Sequence, residues 1–127
     1  MSIDNNQMSI TYLLNSGFAL RCGTWALVFD DYQEPSGCLA KILSGCQEIY
    51  FFASHAHYDH FDSHILQYSE MVTRYFFSKD IRHTVRAKAF SNAKVTYLPR
   101  YTEYDDGRIQ IKTFSSTDAG TSFFVVS

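Results

Sequence analysis

Through the first third of the chain, apolar and polar positions alternate with the period of a strand, and turn residues interrupt them every few positions. Ile10, Tyr12 and Leu14 alternate with Ser9, Thr11 and Leu13 ahead of Asn15, Ser16 and Gly17, which predicts a strand over 9–14 and a turn after it. Phe18 to Cys22 is a second short strand, stopped by Gly23. Trp25 to Phe29 is nearly all apolar and reads as a buried strand ending at Asp30-Asp31. A Pro-Ser-Gly stretch at 35–37 precedes a short helix over 38–43, closed by Gly45. A further buried strand is predicted over 48–53.

The second half continues the alternation with more helical character. Asp62 or Ser63 is a candidate N-cap for a helix running to about Met71. Tyr75-Phe76-Phe77 reads as a buried strand, 80–90 as a helix with Arg82, Arg86 and Lys88 in solvent, and 95–98 as a strand ended by Pro99. Asp106-Gly107 marks a hairpin turn leading into an alternating segment over 109–114. The segment 122–126 is strongly β-prone. The predicted class is a mixed α/β (α+β) fold in one domain over residues 1–127.

Composition narrows this frame. The chain has 127 residues, of which 46% are hydrophobic, with eleven Phe and nine Tyr, enough apolar surface for a real core and far from a disordered composition. The formal net charge is −2 and the basic residues are scattered, so neither a nucleic-acid stripe nor a membrane span is expected. The first residues show no signal-peptide pattern. Cys22, Cys38 and Cys46 lack Cys-x-x-Cys spacing and read as core or surface thiols in a reduced, cytoplasmic setting.

The chemistry is concentrated at residues 55–60, His-Ala-His-Tyr-Asp-His, which hold three of the chain's five histidines. Imidazole and carboxylate are the ordinary ligands of zinc and similar divalent ions. His55 and His57, spaced i, i+2 on an extended segment, leave it on the same side and can reach one ion. Asp59 and His60 follow where the chain must turn and can be aimed at a second ion. His64 and His83 read as solvated helix residues, and Tyr58 as a filler aromatic. On its own residues Asp30 reads as a cap on a strand end or turn. Asp118 reads as a turn residue, since Asp and Gly cluster there.

Residues 54–60, Ser-His-Ala-His-Tyr-Asp-His, carry the His-x-His-x-Asp-His pattern after a buried strand and before a helix, and so the chain resembles the metallo-β-lactamase superfamily. Weaker matches are Ser9 to Gly17 followed by Leu27-Val28-Phe29-Asp30, and the stretch 113–120. The resemblance runs from about Ser9 to the last residue. It implies a partial αββα sandwich, the N-terminal half of such a domain, with metal at one edge.

In that family the first histidine pair, here His55 and His57, helps hold one ion, the pair Asp59 and His60 helps hold another, Asp30 would orient a ligand from behind, and Asp118 is the credible weak ligand of the third-motif region. The implied cofactor is one or two divalent ions, Zn2+ foremost, with Asp59 the expected catalytic carboxylate. The implied reaction is attack of metal-activated water on an ester, lactone, amide or phosphodiester bond of a small molecule. The family's third-motif histidine has no counterpart in 113–120, and its bridging carboxylate and distal histidine would come from beyond residue 127. A second function class is therefore a non-catalytic, metal-binding or dimerising module, with a homodimer formed through the C-terminal strand.

Overall fold

The strands whose residues are apolar on both sides lie in the interior of the larger sheet, since a strand covered on both faces reads as a continuous apolar run. The computed structural model describes residues 8–13, 17–31, 38–55, 61, 63–115 and 121–126. Its first six strands are β1 (Met8–Tyr12), β2 (Phe18–Cys22), β3 (Trp25–Phe29), β4 (Glu48–Ala53), β5 (Arg74–Ser78) and β6 (Val95–Leu98), joined in that spatial order. β1, β2 and β3 pair antiparallel; β3, β4, β5 and β6 pair parallel. A second, antiparallel sheet contains β7 (Glu103–Asp105), β8 (Gln110–Ser115) and β9 (Thr121–Val126). Between strands lie the helix α1 (Cys38–Leu43) and three 3-10 helices, Ser63–Tyr68, Lys79–His83 and Arg86–Phe90.

Each face of the larger sheet buries a different layer. On one, Ala26, Val28, Ile49, Phe51, Tyr75 and Phe77 meet Leu39 and Leu43 of α1 and Phe61, Ile65, Ile81 and Phe90 of the 3-10 region. On the other, Tyr50, Phe52 and Phe76 meet Ile111 of the smaller sheet and Ile109, the residue just before β8. The described residues thus form helical, six-stranded and three-stranded layers in sequence, the αββ portion of the expected sandwich.

An aromatic row crosses the second face. Tyr12, Phe18, Phe29, Phe52 and Phe76 are successive cross-strand partners from β1 to β5. Phe18 stacks on Phe29 at 4.8 Å, Phe29 on Phe52 at 4.6 Å and Phe52 on Phe76 at 5.3 Å. The smaller sheet covers one end of this row, Phe123 standing over Phe52 and Tyr104 over Phe76. The other end emerges into solvent, with Tyr12 80% exposed and Met8 and Ile10 exposed beside it.

Most predicted elements are present, and the departures have local causes. The expected helix over 80–90 is two 3-10 turns divided at Thr84. Its hydroxyl donates to Ile81 O at 2.8 Å, ending the first turn, and accepts from Ala87 N at 3.2 Å, starting the second. The helix expected to reach Met71 is a 3-10 helix over Ser63–Tyr68. The first strand starts one residue earlier and ends two earlier than predicted, and it leaves Leu13 buried in the helical-side core. β7 was not predicted; its three residues carry too little alternation to be read as a strand. The three cysteines are in the thiol form. Among the described residues no helix is long and apolar enough to cross a membrane.

Candidate metal centre

Parallel pairing of β3 with β4 places their C-terminal ends side by side, Phe29 opposite Phe52, so the residues after each strand meet. Asp30 leaves β3 with φ +50°, a left-handed conformation costly for a residue with a side chain, and donates its N–H to Phe52 O at 2.8 Å. That twist faces its carboxylate toward the residue following β4. Oδ1 accepts the Ser54 N–H at 2.7 Å and Oδ2 accepts the Ser54 hydroxyl at 2.6 Å. Gly17 buttresses this corner, since a Cβ there would stand 2.7 Å from the Asp30 carbonyl oxygen.

The hydroxyl of Ser54 also lies 2.7 Å from His55 Nδ1. Because its proton is directed to Asp30, its oxygen is the acceptor toward the imidazole, which assigns the hydrogen of His55 to Nδ1. In the neutral ring the lone pair then resides on Nε2, the atom with which this ring would bind an ion. An Asp–Ser–His chain thus sets both ring orientation and tautomer, as partners behind a metal-bound histidine do.

A second acidic residue lies beside the first. Asp31 has a side chain with 0% exposure, and its Oδ2 accepts from His64 Nε2 at 3.0 Å. His64 was expected in solvent, but its side chain is only 25% exposed because it turns in toward this carboxylate. Between them in sequence, Phe61 is fully buried against Phe77 and Phe90, and Arg86 donates to its carbonyl while lying 5.1 Å from its ring centroid.

Of the residues that the sequence nominates, His55 and Asp30 are brought together here through Ser54. His57, Asp59, His60 and Asp118 lie outside the described residues, as does Tyr58. Among the described residues no three or more His, Cys, Asp or Glu side chains gather as a metal cage. His83 is exposed, as expected. Cys46 is half-buried, its Sγ 3.7 Å from Ile42 O, and burial pushes its thiol up from the usual range despite nearby Arg21. Asp31 and His64 were missed as a pair; the doubled aspartate at a strand end was the available signal.

No family model matches the chain, and no curated protein matches it in sequence. Solved structures do match. CmlA, a diiron β-hydroxylase from Streptomyces venezuelae, superposes with a TM-score of 0.71 at 11% identity, over 95% of this chain and 28% of that one. Igni18, a metallo hydrolase from Ignicoccus hospitalis, gives 0.69 at 14% identity, over 94% of this chain and 55% of that one. A metallo-β-lactamase from Staphylococcus aureus gives 0.58 at 15% identity, over 95% of this chain and 39% of that one. The chain therefore has the metallo-β-lactamase fold, and it spans about half or less of each of these proteins.

Proposed function

We propose that this chain carries the first part of a metal-dependent hydrolase centre, with His55 and His57 directed to one divalent ion and Asp59 and His60 to a second. The observation that carries the reading is the Asp30–Ser54–His55 chain, which leaves Nε2 of His55 as the ring's lone-pair donor. A surface histidine has no need of a strained, hydrogen-bonded aspartate behind it. The likeness to proteins described as a metallo hydrolase, a metallo-β-lactamase and a diiron hydroxylase supports metal chemistry at this edge.

Zinc suits the imidazole and carboxylate set, and iron is the second candidate. A bound divalent ion would supply Lewis acidity and lower the pKa of its bound water to about 7. The chain's own residues position it: Asp30 and Ser54 orient the first imidazole, and Asp59 adds the carboxylate. The substrate class is a small molecule with an ester, lactone, amide or phosphodiester bond. The test is metal content of the purified protein beside a His57→Ala variant. The reading expects near-stoichiometric metal in the parent and loss in the variant; metal-free parent protein after zinc loading contradicts it.

A second reading, a module that pairs with another copy of itself, is favoured by the half-covered aromatic row. Phe123 of β9 stands over β4 and Tyr104 of β7 over β5, so among the described residues the edge of β9 is directed toward β1, whose Met8, Ile10 and Tyr12 are exposed. One occupant bearing both a strand edge and an apolar face would satisfy both, and a second copy offers that combination about a two-fold axis. Light scattering on the same preparation decides it, a dimer being expected and a stable monomer at high concentration contradicting it.

A further inference from the structure

The 3-10 helix that follows the histidine motif is tied back to β3 by a bond that the metal ligands themselves do not require. We propose that Asp31 and His64 are positioning residues of the metal centre, holding the chain where it leaves the motif as Asp30 holds it where it enters. This inference rests on the metal reading above. The two aspartates are adjacent in sequence, yet they hold residues ten positions apart: Asp30 binds Ser54, and Asp31 binds His64. Every proposed ligand lies between those two points.

The energetics argue for placement rather than simple stability. The Asp31 side chain is 0% exposed, and among the described residues its Oδ1 has no hydrogen-bond partner. A buried carboxylate with so little compensation is costly, and a well-packed apolar pair of similar volume is often as stable or more so. What the polar pair adds is direction. A carboxylate accepting from Nε2 fixes the His64 ring and with it the start of the helix Ser63–Tyr68. Phe61 completes the exit, its ring seated on Phe77 at 4.9 Å and its carbonyl held by Arg86. Entry and exit of the motif are thus both referred to β3 and the core, which suits ligands that must hold geometry to within about 0.5 Å.

The experiment compares the parent with Asp31→Ala, Asp31→Asn and His64→Gln, with Leu43→Ala on α1 as a variant destabilised elsewhere in the same core. Two quantities are read: Zn2+ affinity by competition with a chromogenic chelator, and amide hydrogen exchange of the metal-free proteins over 54–66. Asp31→Ala is expected to weaken Zn2+ binding about 10-fold or more, the range for residues that orient metal ligands. Asp31→Asn, whose amide oxygen still accepts from Nε2, recovers most of that loss, and Leu43→Ala leaves affinity unchanged. Exchange over 54–66 quickens in Asp31→Ala and His64→Gln, while β4 and β5 stay protected. The inference is overturned if exchange there is unaltered, or if the parent binds Zn2+ and both Asp31→Ala and His64→Gln bind it equally well. If the parent binds no Zn2+, the metal reading falls on its own, and the exchange measurement still decides whether the clasp exists.

Discussion

The two ends of the larger sheet treat backbone strain in opposite ways. At the end where β3 and β4 begin, the described positive-φ residues are glycines: Gly23 at +61°, Gly45 at +78°, and Gly107 at +89° in the turn whose Arg108 lies 3.7 Å from Glu48. Glycine adopts that conformation at little cost. At the end where β3, β4 and β6 finish, the positive-φ residues are Asp30 at +50° and Tyr101 at +55°. A side chain kept in such a conformation is strained and is retained only where its surroundings demand it. Asp30 shows the demand, since both carboxylate oxygens are used on Ser54.

The hydrogen bonding divides in the same way. At the glycine end, Arg21 donates Nε to Gly23 O at 3.0 Å and Nη1 to Ile42 O and Ser44 O at 2.8 and 2.7 Å, closing the C-terminus of α1 with a cation. Those bonds join backbone to backbone through one side chain and lead nowhere else. At the aspartate end, the same economy of one side chain for several bonds leads to a histidine ring. One end holds the fold together, and the other aims groups outward from it.

The sharpest attempt to break this comparison is Gly17→Ala. Its Cβ would meet the Asp30 carbonyl oxygen at 2.7 Å, and a backbone atom cannot step aside without turning Asp30. Zn2+ affinity, measured by equilibrium dialysis, is expected to fall about 10–100-fold, as when a ligand's supporting residue is lost. Unchanged affinity would mean that the Asp30 corner does not govern the site. Arg21→Ala probes the opposite end. It removes three charge-assisted bonds from a half-buried position and is expected to cost about 2 kcal/mol in urea unfolding while leaving Zn2+ affinity at the parent value. The smallest effect belongs to Gly45→Ala, where the new Cβ has only Arg21 Nη2 at 3.8 Å beside it. The left-handed backbone alone then costs about 1–2 kcal/mol, again without change in metal affinity.

What could be read before the structure follows from the range of the forces involved. β2, β3, α1, β4 and β6 lie within the predicted limits because each is specified by its own local apolar pattern and by nearby Gly, Asp or Pro. The histidine motif was legible because its ligand types occur at fixed spacing after an apolar strand. The Thr84 break was not, since it depends on one hydroxyl serving two turns. The burial of Asp31 was not legible either: His64 lies 33 residues away, and only parallel pairing of β3 with β4 brings the two together. The exposure of Tyr12 on an apolar row likewise depends on how far the second sheet reaches, which no local pattern encodes.

The central claim is that Asp30, through Ser54, holds His55 ready to bind an ion by Nε2. Its most direct test is long-range 1H–15N correlation of the imidazole nitrogens, with His55 assigned by comparison with His55→Gln, before and after Zn2+ is added. The account predicts the Nδ1–H tautomer in metal-free protein, its loss in Asp30→Ala, and a shift of Nε2 alone when Zn2+ binds. An Nε2–H tautomer at His55, or a spectrum indifferent to both Asp30 and Zn2+, would contradict it.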